Sequence, residues 1–298
     1  MSSQVEEALR SQRASWSGIS ARILKNGVGA LPRARPRRIY IFGVGSSHFA
    51  AQLSAHAVMS FGDTPWVYAC NSLAVGRTVK PTREDWVIGV SHRGGTPSTR
   101  EAFAHAARSG AFMIWVCGEG AQVPSEARMV LETCPLEKPE PHTVSVTGAV
   151  CAITTMLVGP RALEQWELLS KIPDPDFEKV RANLPSAPQV ILGEWEGEWL
   201  AKEVALKLME MTGAPVRPFG SEEFFHGPKF SVGASDVFWQ IAIKGDGRAD
   251  EIAARAPALR VDVLSAAPLD WINALVELQW SALAVALNLG KNPDQPGA

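Results

Sequence analysis

The sequence predicts an α/β protein of two doubly wound lobes with parallel sheets. Three observations predict it. Short apolar runs alternate with stretches of helical period from residue 39 onward, the alternation restarts after a proline-rich stretch, and both halves open on an apolar strand, a glycine turn and a helix. The 298 residues suit two domains of ordinary size. The expected division is a helical arm over 1–36, a first lobe over 37–172 and a second over 185–298.

Taken in order, Val5, Leu9, Trp16, Ile19 and Ile23 recur at helical spacing among polar residues and predict a helix over 4–26. The basic, proline-containing run from Leu31 to Arg38 reads as a solvated link. Strands are expected at Ile39–Val44, Trp66–Cys70, Trp86–Val90, Met113–Cys117 and Val130–Thr133, with a helix over Ser98–Ser109 and one long apolar helix from about Gly148 to Leu169. Pro173, Pro175, Pro185 and Pro188 rule out one continuous helix and place the domain link there. The second half predicts strands at Gln189–Gly193, near Asp236–Lys244 and near Arg260–Leu264, with helices over Glu196–Met211 and Leu269–Leu289. The shared opening suggests a weak internal repeat.

Composition narrows the function. A hydrophobic fraction of 46% with 20% charged residues describes a globular chain, and 29 Lys and Arg against 31 Asp and Glu leave no basic field to hold nucleic acid. No apolar run is long enough to span a membrane, and the start Met-Ser-Ser-Gln-Val-Glu-Glu is acidic where a signal peptide is basic, so a cytoplasmic protein is expected. Cys70, Cys117, Cys134 and Cys151 form no Cys-x-x-Cys pair and read as buried hydrophobes in a reducing compartment. No His, Cys and carboxylate residues cluster with metal-ligand spacing; neither a metal nor another cofactor is expected. The ten tryptophans read as core and interface filling.

Two loops are candidates for holding a phosphate. Gly43-Val-Gly45-Ser46-Ser47-His48 follows the first strand, where glycines permit close approach and the next helix offers amides and hydroxyls. A dinucleotide fingerprint needs a third glycine where His48 stands. Ser91-His92-Arg93-Gly94-Gly95-Thr96 follows the third strand and supplies hydroxyls and a second helix start. In a doubly wound sheet both turns lie at strand carboxyl ends and can converge on one ligand. Ser and Thr are also common helix caps, the plainer use of the same residues.

Two further constellations bear on catalysis. Glu203, Lys207 and Glu210 share one helical face between two apolar flanks, the pattern of a cleft floor more than of a solvated face. Gly220 to Pro228 reads as a capped helical turn, and His226 at its carboxyl end is placed to act as acid or base.

Gly45-Ser46-Ser47 and Ser91-His92-Arg93-Gly94-Gly95-Thr96 resemble the phosphate loops of the sugar isomerase (SIS) domain family, with Arg93 in place of a usual serine. Glu203-x-x-x-Lys207-x-x-Glu210 followed by Glu223-x-x-His226-Gly-Pro resembles the isomerase domains of glucosamine-6-phosphate synthases and related phosphosugar isomerases and deglycases. The resemblance implies flavodoxin-like lobes and a homodimer with shared active sites. By it, Gly45, Ser46, Ser47, Ser91, His92, Arg93, Gly94 and Thr96 bind a sugar phosphate. Glu210 is the enolisation base, His226 assists ring opening, often from the neighbouring subunit, and Glu203 and Lys207 line the site. The expected reaction is isomerisation, deamination or deglycation of an amino or N-substituted hexose 6-phosphate, without a glutaminase domain. Asn292-Pro-Asp-Gln-Pro296 resembles the family's tail, without the lysine that follows it there. The alternative is a non-catalytic regulator that binds a sugar phosphate.

Overall fold

The computed structural model describes residues 2–26, 31–62, 65–184, 186–233, 236–243, 251, 258–263 and 268–295. The chain divides into two compact units, one of residues 11–137 and 144–172, the other of residues 1–10, 138–143 and 173–298.

The first unit is built on a five-stranded parallel sheet. Its strands are β1 (Arg38–Gly43), β2 (Trp66–Asn71), β3 (Trp86–Val90), β4 (Phe112–Glu119) and β5 (Met129–Pro135), in the order β2-β1-β3-β4-β5. Helix α1 (Gln4–Asn26) begins in the second unit and ends in the first. Helices α2 (Ser46–Ser60), α3 (Pro97–Ala107), α4 (Val144–Val158) and α5 (Pro160–Ser170) follow. Side chains alternate along a strand. Tyr40, Phe42, Val87, Met113 and Trp115 therefore form one core with Ala102, Phe103 and Ala106 of α3, while α2 and α4 pack together on the opposite side. Phe103 meets Trp115 edge-on at 4.9 Å.

Three boundaries differ from the sequence expectation. The single helix expected over 148–169 is two, because Gly159 takes φ 79° and Pro160 has no amide to donate. The amino-terminal helix is no separate arm: Trp16 donates from Nε1 to Thr147 Oγ1 at 3.1 Å and packs edge-on against Trp166 at 5.2 Å. Its first turn is capped by Asp294, which accepts from the amides of Gln4 and Val5 at 2.8 and 3.0 Å. Within the proline-rich link, α6 (Phe177–Ala182) forms, started by the Asp176 side chain.

The second unit repeats the pattern on a four-stranded parallel sheet of β6 (Val190–Gly193), β7 (Arg217–Gly220), β8 (Phe238–Ile243) and β9 (Ala258–Val263), ordered β7-β6-β8-β9. Its helices are α7 (Glu196–Thr212), α8 (Ser221–Phe225) and α9 (Trp271–Asn288). Val190, Leu192 and Phe238 form a core with Phe224 of α8, while α7 packs on β6 and α9. The sequence reading missed β7: it has four residues and includes Pro218, which is tolerated because this strand lies at the sheet edge. Among the described residues no helix is long and apolar enough to cross a membrane.

Candidate functional site

The sheet order β2-β1-β3 places the ends of β1 and β3 side by side, so the turns that follow them are neighbours. After β1, Gly45 takes φ 57° and ψ −132° at the start of α2 and offers no side-chain cap. Ser46, Ser47 and His48 form the first turn of that helix and are half-buried. Two hydroxyls stand at this helix start, where the amides of Ser47 and His48 donate to the Val44 and Gly45 carbonyls at 3.2 and 2.9 Å.

After β3, Ser91 is buried and its hydroxyl bonds that of Thr96 at 3.2 Å, across a turn closed by the Gly94 amide on the Ser91 carbonyl at 3.0 Å. Gly94 has φ 73°, and a Cβ there would strike the Gln122 carbonyl. Thr96 then starts α3 without a side-chain cap. Two guanidinium groups brace the loop: Arg100 donates to the Gly94 carbonyl at 3.1 Å and Arg93 to the Glu137 carbonyl at 3.2 Å. Arg93 is exposed, but this bond ties its head to the backbone.

Sequence reasoning missed Glu137, which organises this corner. Its two carboxylate oxygens accept the amides of Val144 and Ser145 at the start of α4, at 3.2 and 2.8 Å, and its own amide donates to His92 Nε2 at 2.8 Å. No local spacing announces this, because the cap is reached from seven residues before the helix. Burial pushes the His92 pKa down from 6.5, against the opposing pull of Glu137. The imidazole is held neutral, its Nε2 serving as acceptor.

His92, Cys134 and Glu137 bring potential metal-ligand atoms within 4.8 Å of one another, a grouping the sequence spacing did not reveal. Their bonding is that of a helix cap. His92 Nε2 and both Glu137 oxygens hold backbone amides, and burial pushes the Cys134 thiol up to about 12, so it carries its proton at neutral pH.

On α7, Glu203 and Lys207 are fully buried, with Lys207 Nζ 3.8 Å from Glu203 and 2.5 Å from Glu210. Glu210 keeps a quarter of its side chain exposed, so the stripe runs from the interior to an accessible carboxylate. Leu200, Val204, Leu208 and Met211 bury the flanking positions. Glu198 and Lys202 pair on another face at 2.5 Å, with Lys202 over the Trp199 ring. His226 caps the end of α8 and is largely exposed; its Nε2 lies 3.2 Å from Glu222 Oε1. It thus pairs with Glu222 and not with a member of the α7 triplet. The structure gathers Gly45–Ser47 with the Ser91–Thr96 loop in one unit and holds the α7 triplet and His226 in the other.

Residues 34–158 match the family model of the SIS domain. A glutamine–fructose-6-phosphate aminotransferase (isomerizing) of Mycolicibacterium smegmatis is 27% identical over 216 residues, covering 64% of this chain and 34% of that protein. The chain thus spans about a third of the length of the curated relatives it matches. Among solved structures, the C-terminal domain of glucosamine-fructose-6-phosphate aminotransferase from Francisella tularensis superposes with a TM-score of 0.79 at 16% identity, covering 99% of each chain. Glucosamine-6-phosphate deaminase of Thermotoga maritima superposes at 0.75 and 17% identity, covering 99% of this chain and 98% of its own. Tagatose-6-phosphate ketose/aldose isomerase of Escherichia coli superposes at 0.78 and 17%, covering 99% and 96%.

Proposed function

Proceeding from a SIS domain over residues 34–158, we propose that this chain is a phosphosugar isomerase acting on an amino or N-substituted hexose 6-phosphate. Deamination or deglycation is the same enolisation, which leaves an imine, followed by its hydrolysis: water supplies the carbonyl oxygen and ammonia or an amine departs. The observation that carries the reading is the α7 stripe, in which a fully buried lysine lies between a buried carboxylate and a partly exposed one. A solvated salt-bridge face does not bury its lysine completely, because an ammonium taken from water needs compensation.

In this reading the hydroxyls of Ser46, Ser47, Ser91 and Thr96 hold the phosphate at the starts of α2 and α3. Arg93 and Arg100 supply positive charge without a basic surface, consistent with the chain's net charge of -2. His92, held neutral, keeps the loop in shape. Glu210 takes a proton from one carbon of the open-chain sugar and returns it to the neighbouring carbon through an enediol or enediolamine. Lys207 stabilises the oxyanion that develops, and Glu203 fixes Lys207. His226 moves the proton at the ring oxygen during ring opening, and a second copy of the chain is the expected donor of that residue in a homodimer.

The test is hydrogen exchange at carbons 1 and 2 of fructose 6-phosphate and glucosamine 6-phosphate in deuterated water. Exchange by the wild type that disappears in Glu210→Gln is the expected result. Tight binding with no exchange over a broad panel of phosphosugars would establish a binding protein instead.

A further inference from the structure

A pocket lies in the first unit, lined by residues other than those of the two phosphate-loop turns. It is open, with a volume of about 290 Å³ between α3 and the segment that follows β2, near the lower end of small-molecule sites, about 300–1,000 Å³. One wall is a stripe of α3 at helical spacing: Ser98, Glu101, Ala102 and His105. The facing wall comprises Ser72, Leu73, Val75, Gly76 and Arg77.

This wall is built, not frayed. The Gly76 amide bonds the Val79 carbonyl at 2.8 Å and the Thr78 amide the Ala74 carbonyl at 3.0 Å. Gly76 has φ 83°, and a Cβ there would fall 2.7 Å from the His105 ring, so the imidazole lies directly against the backbone. Arg108 donates to His105 Nδ1 at 2.5 Å, since a guanidinium only donates, so the N–H of the imidazole is at Nε2. The lining therefore presents a guanidinium, an imidazole N–H and serine hydroxyls, with the Glu101 carboxylate on the helix wall. Arg77 and Glu101, both exposed, border this one pocket, and among the described residues neither has an ion-pair partner.

We propose that this cavity is a second binding site that takes a small zwitterion, its anionic group on Arg77 and its ammonium on Glu101, and specifically an amino-sugar phosphate. A simple anion would leave Glu101 repelling it, and a simple cation would leave Arg77 doing so; a molecule bearing both charges satisfies both walls. The choice of an amino-sugar phosphate among zwitterions rests on the function proposed above. Ser98 of the cavity and Thr99, whose hydroxyl lies 3.0 Å from that of Ser72, belong to the turn of α3 that Thr96 of the phosphate loop begins. A ligand in the pocket thus touches the helix turn that adjoins the phosphate loop.

The experiment is calorimetric titration of the full chain carrying Glu210→Gln, to prevent turnover, with glucosamine 6-phosphate. Two equivalents per chain are expected, one removed by Arg77→Ala or Glu101→Ala and the other by Ser91→Ala. A single equivalent that Ser91→Ala abolishes and Arg77→Ala leaves intact overturns the second site while sparing the function proposed. A single equivalent with the reverse dependence supports the second site and overturns the phosphate loop. No binding overturns both.

Discussion

Gly45 and Trp195, 150 residues apart, hold the same backbone corner in the two units: φ 57° and ψ −132° at Gly45, φ 54° and ψ −127° at Trp195. Each stands between a strand and the helix that follows, and each is preceded by a glycine, Gly43 or Gly193, whose added Cβ would strike the residue four positions on. At this turn the two units therefore agree to within 5° in φ and ψ. Only the first copy keeps the residue suited to it, since a bulky side chain with positive φ is strained.

Replacing Trp195 by glycine should therefore stabilise the protein. Trp195 is 73% exposed and surrenders little burial. Relief of a strain of about 1–3 kcal/mol outweighs the roughly 0.5–1 kcal/mol entropic cost of glycine. Urea unfolding should show a gain of about 1 kcal/mol; a loss would mean that the indole makes contacts worth more than the strain.

The α7 stripe predicts a strong asymmetry between single and double substitutions. Lys207→Met removes the cation 3.8 Å from a fully buried Glu203 and should cost about 3–5 kcal/mol. Lys207→Met combined with Glu203→Gln should cost clearly less than the two singles added together, as a double-mutant cycle by chemical denaturation would measure. Simple additivity would show that the two groups do not compensate each other.

His92 gives a pH dependence of defined sign. Its folded pKa lies below the ordinary 6.5 because burial favours the neutral ring. Between the two values the unfolded chain binds the extra proton, so this stabilisation is fully present above about pH 6.5 and is lost as pH falls toward the depressed folded value. The wild-type melting temperature should therefore drop more steeply from pH 7.5 to 5.5 than that of His92→Gln. Equal slopes would place the acid sensitivity elsewhere.

The cysteines should be chemically silent. Burial pushes Cys70 and Cys117 up to about 11 and Cys134 and Cys151 up to about 12, leaving almost no thiolate at neutral pH. At pH 7.5 a thiol reagent should label all four quickly only after denaturation. Rapid labelling of Cys117, Cys134 or Cys151 in the native protein would contradict their burial.

Strong local signals were legible in the sequence. The apolar run of β1, with Ile39 to Phe42 all buried, and the periodicity of α7 fix their own conformations because the side-chain period and the backbone period must agree. The same periodicity placed Glu203, Lys207 and Glu210 on one face. Where two local rules conflict the reading fails. Pro218 argues against a strand, and only an edge position reconciles it with β7; the apolar run through Gly159 and Pro160 hides a helix break.

By itself, the sequence determined the alternation of strands and helices, the two candidate loops and the charged stripe, all of which depend on residues within a few positions of one another. Only the tertiary structure decided that Asp294 caps α1 from the far end of the chain. It alone joins Glu137 to both His92 and α4, and sets Arg77 and Glu101 around a common cavity. Those pairings satisfy buried amides and place charges across folded walls. Such partners are chosen by proximity in space, for which sequence separation carries no signal.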